Sequence, residues 1–166
     1  MPDPRYDAAV AYIRELHRVV DGLVAPLARA HAGRLHCGRG CSSCCVDDLS
    51  VFAVEAERIR REFPQVLAEP AGPPGACGFL AADGACRVYD ARPYVCRTQG
   101  LPLRWAESGS EARDICPLNE AVSLLALPAD ACWTLGPVEA RLAAVQATIA
   151  AEPERRVPLR ALFAGG

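Results

Sequence analysis

Four cysteines lie within nine residues of this chain, in the segment CGRGCSSCC at residues 37–45. The residues between them are small, flexible or charged, so the backbone can wrap around a central atom and leave room for thiolates. Short spans of chain violate the Cα separation that a disulfide requires, so the four thiols cannot all pair within the loop. The segment therefore predicts a metal site, with the candidate ligands Cys37, Cys41, Cys44 and Cys45.

Four more candidate ligands follow, namely Cys77, Cys86, Cys96 and Cys116. The residues from Phe79 onward predict a short β-hairpin turned on Asp83 and Gly84, which would bring Cys77 and Cys86 close together at its two ends. We expect this segment and the loop at 37–45 to converge on one metal centre or on two adjacent ones. Cys116 would reach the site from the far side of a polar loop at 107–114.

Other residues with possible metal chemistry have weaker patterns. His36 directly precedes the cluster and could supply one nitrogen ligand, although a loop residue near the site is the simpler interpretation. His17 and His31 are interpreted as solvated helix residues. Cys132, beside Trp133, is expected to be a small buried residue that is dispensable for metal content.

Composition limits the class of protein. The 166 residues suit one domain, and all 18 basic residues are arginine, which excludes Schiff-base chemistry and a phosphate loop with lysine. A net charge of -2 offers no general field for nucleic acid. There is no secretory pattern at the start and no apolar stretch that could span a membrane. We therefore expect a cytoplasmic protein, in which thiols stay reduced and the nine cysteines serve as ligands.

Helical patterns flank the cysteines. Apolar residues recur at steps of three and four and predict a helix over 5–31, with the stripe Tyr6, Ala9, Ile13, Leu16, Val20, Leu23, Leu27 and Ala30. A second helix is predicted over 51–63, capped by Ser50, and others over 118–127 and 138–152. The expected fold is mainly α, with a small cysteine-rich irregular or hairpin core (37–116) organised around metal. We expect one metal-binding domain over 1–166, with C-terminal helices in 117–166.

The cysteine pattern resembles the CxxCxxCC family of zinc- or iron-chelating cysteine-cluster proteins. The resemblance spans residues 37–116, and its matched positions are Cys77, Phe79, Leu80, Gly84, Cys86, Tyr89, Arg92, Pro93, Cys96 and Arg97. One departure is the first gap, which holds three residues where the family has two, and this bears on Cys37. The spacing of Cys37, Cys41 and Cys44 also equals the radical-SAM signature, but the chain lacks the repeated βα units of that fold.

Zinc and iron–sulfur centres both take thiolates. Cysteines crowded in one loop favour a polynuclear cluster, above all the four-iron type, because adjacent irons can each take one thiolate. Neighbouring side chains diverge, so Cys44 and Cys45 are not both expected on one zinc ion. Either centre is negatively charged, and arginines are candidates to bind around it: Arg39, Arg87, Arg92 and Arg97. For Arg92 and Arg97 the alternative is an ordinary salt bridge to Asp83, Asp90 or Asp114.

Two classes of function remain open. The first is a metal- or cluster-binding protein that stores, carries or senses its metal, or is held together by zinc. The second is an iron–sulfur component of a redox or group-transfer enzyme. No phosphate loop, H-E-x-x-H motif or nucleophile elbow is present, so the binding protein is favoured, and its protein partner is not indicated.

Overall fold

The longest element is an amphipathic helix near the start of the chain. The computed structural model describes residues 4–38, 40–119 and 123–163, and it places helix α1 over Pro4–Ala30. The middle of the predicted apolar stripe, Ala9 to Val20, lies on the buried face of this helix, because residues three and four apart share one side. Towards the end of the helix the stripe leaves the core, since Leu23 is 55% exposed and Ala30 is exposed. The buried residues are Ala9, Val10, Ile13, Leu16, His17 and Val20.

The second predicted helix begins later than expected. Residues Ser50–Phe52 form strand β1, and helix α2 covers Ala53–Glu62. The prediction that Ser50 caps a helix from residue 51 is therefore wrong. Strand β1 pairs antiparallel with β5, Arg156–Pro158, so that Val51 lies opposite Val157. Val51 and Phe52 are both buried, and β-branched and aromatic residues suit a strand. A short helix, α3, follows at Pro64–Leu67.

The polar loop predicted at 107–114 is instead a β-hairpin. Strands β2, Leu103–Glu107, and β3, Ser110–Asp114, pair antiparallel around Ser108 and Gly109, which both have positive φ. Two-residue turns of this kind match the twist of a hairpin. Strand β4, Trp133–Thr134, pairs parallel with β2 and completes a three-stranded sheet.

The C-terminal part contains less helix than predicted. Helix α5 covers Pro137–Gln146, and the chain turns before residue 152. Of the helix predicted over 118–127, residues 120–122 lie outside the described part, and the rest contains only a 3-10 turn at Leu124–Ala126. The last described segment forms a 3-10 turn, Leu159–Leu162, that packs into the core with Phe163.

Two apolar clusters fill the interior. The first joins α1 and α5 with the ring pair of Tyr94 and Trp133, where Trp133 Nε1 donates to Tyr94 Oη at 2.7 Å. The second contains Val51, Phe79 and Val88, and the chain from Leu159 to Phe163 packs there as well. Cys77 is a member of this second cluster, and Cys45 and Cys86 pack against it. The cysteines therefore border the second cluster, whereas the contact of α1 with α5 lies in the first.

About 44% of the described residues are helical and 13% are in strands of two small sheets. The expectation of a mainly helical fold is confirmed at this level. Helix α4, Tyr94–Thr98, is the element that carries Cys96.

Candidate metal centre

The described residues of the segment 37–45, which are all except residue 39, form tight turns without helix or strand. The amide of Cys41 donates to the Gly38 carbonyl at 3.0 Å, and the amide of Cys45 donates to the Ser42 carbonyl at 2.9 Å. Gly40 has a φ of 87°, in the left-handed region that glycine adopts without strain. These turns bring the thiol-bearing positions of the loop close together in space. Arg39 lies outside the described residues.

The hairpin predicted between Cys77 and Cys86 is confirmed. The Arg87 amide donates to the Phe79 carbonyl at 2.9 Å, and the Ala81 amide donates to the Ala85 carbonyl at 2.8 Å. At the turn, Asp83 Oδ1 accepts from the Ala85 amide at 3.0 Å. This geometry is the Asp-Gly turn that the sequence indicates.

The loop and the hairpin touch at two places. The Cys77 amide donates to the Cys45 carbonyl at 2.8 Å, which joins the end of the loop to the start of the hairpin. At the hairpin tip, a Cβ added to Gly84 would lie 3.2 Å from the Gly40 carbonyl oxygen. Residues separated by more than thirty positions are thus held side by side.

Four thiols surround the first of these junctions. Burial, together with negative charge on Cys44, Cys77 and Cys86, raises the pKa of Cys45 to about 12. Burial also raises the pKa of Cys96, and charge on Cys77, Cys86 and Cys45 acts in the same direction. These thiols are therefore within electrostatic range of one another and stay protonated at neutral pH.

A second group of thiols lies around Cys44. Burial raises the pKa of the Cys44 thiol, a hydrogen bond with Cys45 lowers it, and charge on Cys41 or Cys116 would raise it again. Cys116 is buried, at the end of the chain that follows strand β3. The position of Cys116 beside the loop at 37–45 agrees with the predicted course of the chain.

Cys37 has a partner that the sequence did not indicate. Asn119 is 4% exposed, and its Nδ2 lies 3.4 Å from Cys37 Sγ and donates to the Gly100 carbonyl at 2.7 Å. Asn119 Oδ1 accepts from the backbone N–H of His36 at 2.7 Å, and the backbone N–H of Asn119 donates to the Cys116 carbonyl at 2.9 Å. Asn119 therefore ties Cys37 to the segment of Cys116, because its side chain bonds to the Cys37 thiol and its backbone N–H to the Cys116 carbonyl. His36 is exposed to solvent.

The donor chemistry of the cysteine-rich segment is that of a thiolate-bound metal centre. Within residues 4–38, 40–119 and 123–163, no group of three His, Cys, Asp or Glu side chains is placed to hold a metal ion. Burial raises the pKa of the thiols of Cys44, Cys45, Cys77, Cys86 and Cys96. Metal binding requires deprotonation, and the thiols must then turn toward a common centre.

Two arginines next to the hairpin supply positive charge. Arg87 and Arg92 both act to lower the pKa of Cys86, against the larger effect of burial, which raises it. Each has a buried Nε atom without a hydrogen-bond partner in the described part of the chain. An unsatisfied buried donor is costly, and a neighbouring thiolate would offset that cost. This feature fits an anionic metal–thiolate centre.

The predicted arginine salt bridges form with a different carboxylate. Arg97 NH1 lies 2.5 Å from Asp21 of α1, and Arg92 NH2 lies 3.7 Å from the same carboxylate. Asp90 contributes only its backbone carbonyl, which accepts from Arg97 NH2 at 2.8 Å. Arg92 also stacks over the Tyr89 ring, 4.0 Å from its centroid. These contacts hold helix α4, and with it Cys96, against α1.

A buried polar network behind Cys96 was missed by the sequence analysis. His17 is 1% exposed, so its interpretation as a solvated residue is wrong. Its Nε2 lies 2.9 Å from Glu55 Oε1, and Arg58 NH1 lies 2.7 Å from its Nδ1. Glu55 Oε1 also accepts from the Tyr94 amide at 2.7 Å, at the start of α4. The position of His17, four residues after Ile13 and three before Val20, was the available signal of burial.

The remaining candidates lie elsewhere. His31 is also buried, contrary to expectation, and its Nε2 lies 2.6 Å from the Ala131 carbonyl. Cys132 is buried beside strand β4, and its Sγ lies 3.9 Å from Arg113 NH1. None of the helices described here is both long and apolar enough to cross a membrane.

Comparison with known proteins identifies the cysteine-rich segment. Residues 36–117 match the CxxCxxCC family model, which is described as a "Putative zinc- or iron-chelating domain". No curated protein and no solved structure matches the chain. The resemblance predicted from the cysteine pattern is confirmed.

Proposed function

We propose that this chain, which carries a CxxCxxCC domain of the zinc- or iron-chelating type over residues 36–117, holds an iron–sulfur cluster through cysteine thiolates. The observation that supports this proposal best is the junction of the loop with the hairpin, where the Cys77 amide bonds to the Cys45 carbonyl. Its thiolates are drawn from eight candidate ligands: Cys37, Cys41, Cys44, Cys45, Cys77, Cys86, Cys96 and Cys116.

The number and crowding of the thiols favour iron. A four-iron cluster takes one cysteine thiolate on each iron, so it needs several thiols that approach one centre from different sides. The loop, the hairpin and helix α4 supply thiols in this way, since Cys96 is in electrostatic range of Cys45, Cys77 and Cys86. When bound, the cluster would supply electron transfer or a structural link between these segments.

Arginines are proposed to stabilise the bound group. A cluster with four thiolates is negatively charged, and burial of that charge requires nearby donors or cations. Arg87 and Arg92 are both placed for this role, because the charge of each acts on Cys86 and the Nε of each lacks a hydrogen-bond partner among the described residues. Arg97 is assigned a positioning role, because Asp21 and the Asp90 carbonyl already occupy two of its nitrogen atoms.

A zinc-binding structural module or metal carrier is the second candidate. Cys77 and Cys86 flank a short hairpin, an arrangement typical of zinc knuckles, which draw two ligands from each of two turns. Zinc would bind four thiolates tetrahedrally and release their protons. The spacing of Cys77 and Cys86 concerns the hairpin alone. The crowding of cysteines in the loop at 37–45 favours the iron–sulfur cluster.

We propose a cytoplasmic binding protein and favour it over an iron–sulfur component of a redox or group-transfer enzyme. Within the described residues the polar clusters next to the cysteines are ion pairs and backbone contacts, such as that of Arg97 with Asp21. These contacts hold helix α4 against α1. The function proposed is therefore storage, transfer or sensing of the bound group.

Elemental analysis and an absorption spectrum test the proposal. Protein purified without oxygen is expected to contain iron and acid-labile sulfide in about equal amounts and to be brown, with broad absorption in the blue. A colourless protein with tightly held zinc would support the second candidate. Protein that contains neither metal, and that fails to take up either after reduction, would contradict the proposal.

A further inference from the structure

The segment 156–163 lies outside the domain matched at 36–117 but packs against its cysteine-rich part. Strand β5 pairs with β1, and the backbone N–H of Leu159 donates to the Leu49 carbonyl at 2.9 Å. The buried residues of this segment belong to the second apolar cluster, which also contains Cys77. We name residues 156–163 the clamp segment.

Arg160 of the clamp segment reaches the chain just before Cys77. Its NH1 donates to the Gly72 carbonyl at 3.0 Å, and its NH2 donates to the Pro73 and Ala76 carbonyls at 2.9 and 2.7 Å. A guanidinium holds its five N–H donors in one plane, so a single side chain can fix several carbonyls relative to one another. Arg160 therefore holds the turn that leads into the hairpin.

Asp47 extends the same contact to the cysteine loop. It lies two residues after Cys45, and its Oδ1 accepts from Arg160 Nε. Its Oδ2 accepts from the backbone N–H of Gly75 at 2.9 Å, two residues before Cys77. One carboxylate thus joins the clamp segment, the end of the cysteine loop and the turn before the hairpin.

Phe163 contacts the chain just after Cys77. The centroid of its ring lies 4.8 Å from that of the Phe79 ring. A Cβ added to Gly78 would lie 2.8 Å from Phe163 Cε2, so the ring packs directly on this backbone. In the sequence, Cys77 therefore lies between two points that the clamp segment holds, with the Arg160 contacts before it and the Phe163 contacts after it.

We propose that the clamp segment positions the thiols of Cys45 and Cys77 for a common metal centre and slows the release of that metal. This inference rests on the proposed function and adds a part of the chain, outside the matched domain, that governs metal retention. Groups that orient ligands without touching the metal strongly affect metal affinity, because they limit how far a ligand can move away. Arg160 and Phe163 act through the two cysteines and are positioning residues.

The rate of metal release tests the inference with Zn²⁺ as the probe. Reduced protein is loaded with Zn²⁺ and mixed with an excess of a chromogenic chelator. Arg160→Ala is expected to release zinc about tenfold faster than the wild type, the lower end of the effect seen for residues that orient metal ligands. Phe163→Leu keeps an apolar side chain but loses the ring that packs on Gly78, so it should also release zinc faster than the wild type.

Two control variants separate the clamp from general destabilisation. Arg156→Ala removes an exposed arginine of the same segment that stacks over Phe52, and Ile13→Val removes one methyl group from the first apolar cluster. Both should release zinc at the wild-type rate, and circular dichroism checks that every variant folds.

Arg160→Lys tests whether the planar group of Arg160 is needed. It keeps the positive charge beside Asp47 but not the planar set of donors, so its release rate should lie between those of the wild type and Arg160→Ala. If Arg160→Ala and Phe163→Leu released zinc at the wild-type rate, or if Ile13→Val accelerated release as much as they do, the inference would be wrong.

Alkylation of the metal-free protein distinguishes a failure of this inference from a failure of the proposed function. Cys45 and Cys77 should react faster in Arg160→Ala and Phe163→Leu than in the wild type, whereas Cys132 should react equally in all three. Unchanged rates at Cys45 and Cys77 would overturn the inference even in a protein that binds metal. A wild-type chain that takes up neither zinc nor an iron–sulfur cluster would contradict the proposed function itself, and with it the role in metal retention.

Discussion

Cys77 and Cys45 are joined by a backbone hydrogen bond of 2.8 Å between the amide of the first and the carbonyl of the second. Thirty-one residues, 46–76, lie between them in the sequence. The bond therefore joins the cysteine loop to the hairpin through a long-range backbone contact. A metal at this junction would strengthen a contact that the polypeptide already makes.

The packing of Gly100 against Cys37 leads to the first prediction. Gly100 has a φ of 95°, and an added Cβ would lie 2.4 Å from Cys37 Sγ, so Gly100→Ala must move the thiol. We expect a loss of about 2 kcal/mol in the free energy of unfolding and faster alkylation of Cys37. Chemical denaturation and timed alkylation measure the two effects.

Gly109 provides a matched control for this substitution. It has a similar φ of 83°, but an added Cβ would meet nothing within 4 Å. Gly109→Ala should therefore show only the backbone strain, about 1 kcal/mol, with no change in Cys37 reactivity. Equal effects of the two substitutions would contradict a specific contact between Gly100 and Cys37.

Arg160 leads to a second prediction, because it holds the chain just before Cys77. Its guanidinium donates to the carbonyls of Gly72, Pro73 and Ala76 and pairs with Asp47. Arg160→Ala leaves those carbonyls without this donor, and we expect a loss of about 1–2 kcal/mol in stability. Hydrogen exchange should increase at residues 72–78.

The exposed pair of Arg18 with Glu15 serves as the comparison for Arg160. Exposed ion pairs contribute little, so Arg18→Ala should leave the exchange of residues 72–78 unchanged. If Arg160→Ala also left that exchange unchanged, the carbonyl contacts would not hold the segment.

The hairpin at Cys77 could be predicted because its signal is local. Asp83 and Gly84 set the turn, and the flanking residues then pair with near neighbours in sequence. The pairing of Val51 with Val157 has no such local signal, because it depends on contacts between distant parts of the chain. A short apolar run such as that around Val51 suits a strand as well as a helix until its partner is known.

The partners of the charged residues could not be read from the sequence for the same reason. Arg97 pairs with Asp21, although the carboxylates at 83, 90 and 114 are closer to it in the sequence. The reason is that α1 packs beside α4. Asn119 likewise reaches Cys37 only because the chain after strand β3 returns to the loop. Local patterns identified the thiols, whereas tertiary packing selects what surrounds them.

His17 leads to a third prediction, on the pH dependence of stability. Burial lowers the pKa of His17 below its usual 6.5, and the charges of Arg97 and Arg58 lower it as well, although Glu55 raises it. The unfolded chain therefore binds a proton at a higher pH than the folded chain does. Stability is then full above about pH 6.5 and is lost as the pH falls from there through the folded pKa.

Thermal melts between pH 7.5 and 5, a range of roughly one unit or more either side of the usual histidine pKa, measure this dependence. His17→Gln keeps a side chain that can bond with Glu55 but does not titrate, so its melting temperature should vary less across this range. A slope in the variant equal to that of the wild type would show that other groups cause the dependence.

The final prediction concerns removal of the metal. If the cysteines bind a common group, the metal closes chain loops between Cys45, Cys77 and Cys96, and its binding free energy contributes to folding. The metal-loaded protein should therefore melt at a higher temperature than the same protein treated with a strong chelator, by about 10 °C or more. Cys77 and Cys86 should be protected from alkylation in the loaded form and react after chelation. Cys132→Ser should show the same difference in melting temperature as the wild type. If chelation left the melting temperature unchanged, or if Cys77 and Cys86 reacted freely in the loaded protein, the loop at 37–45 would bind its metal without the hairpin.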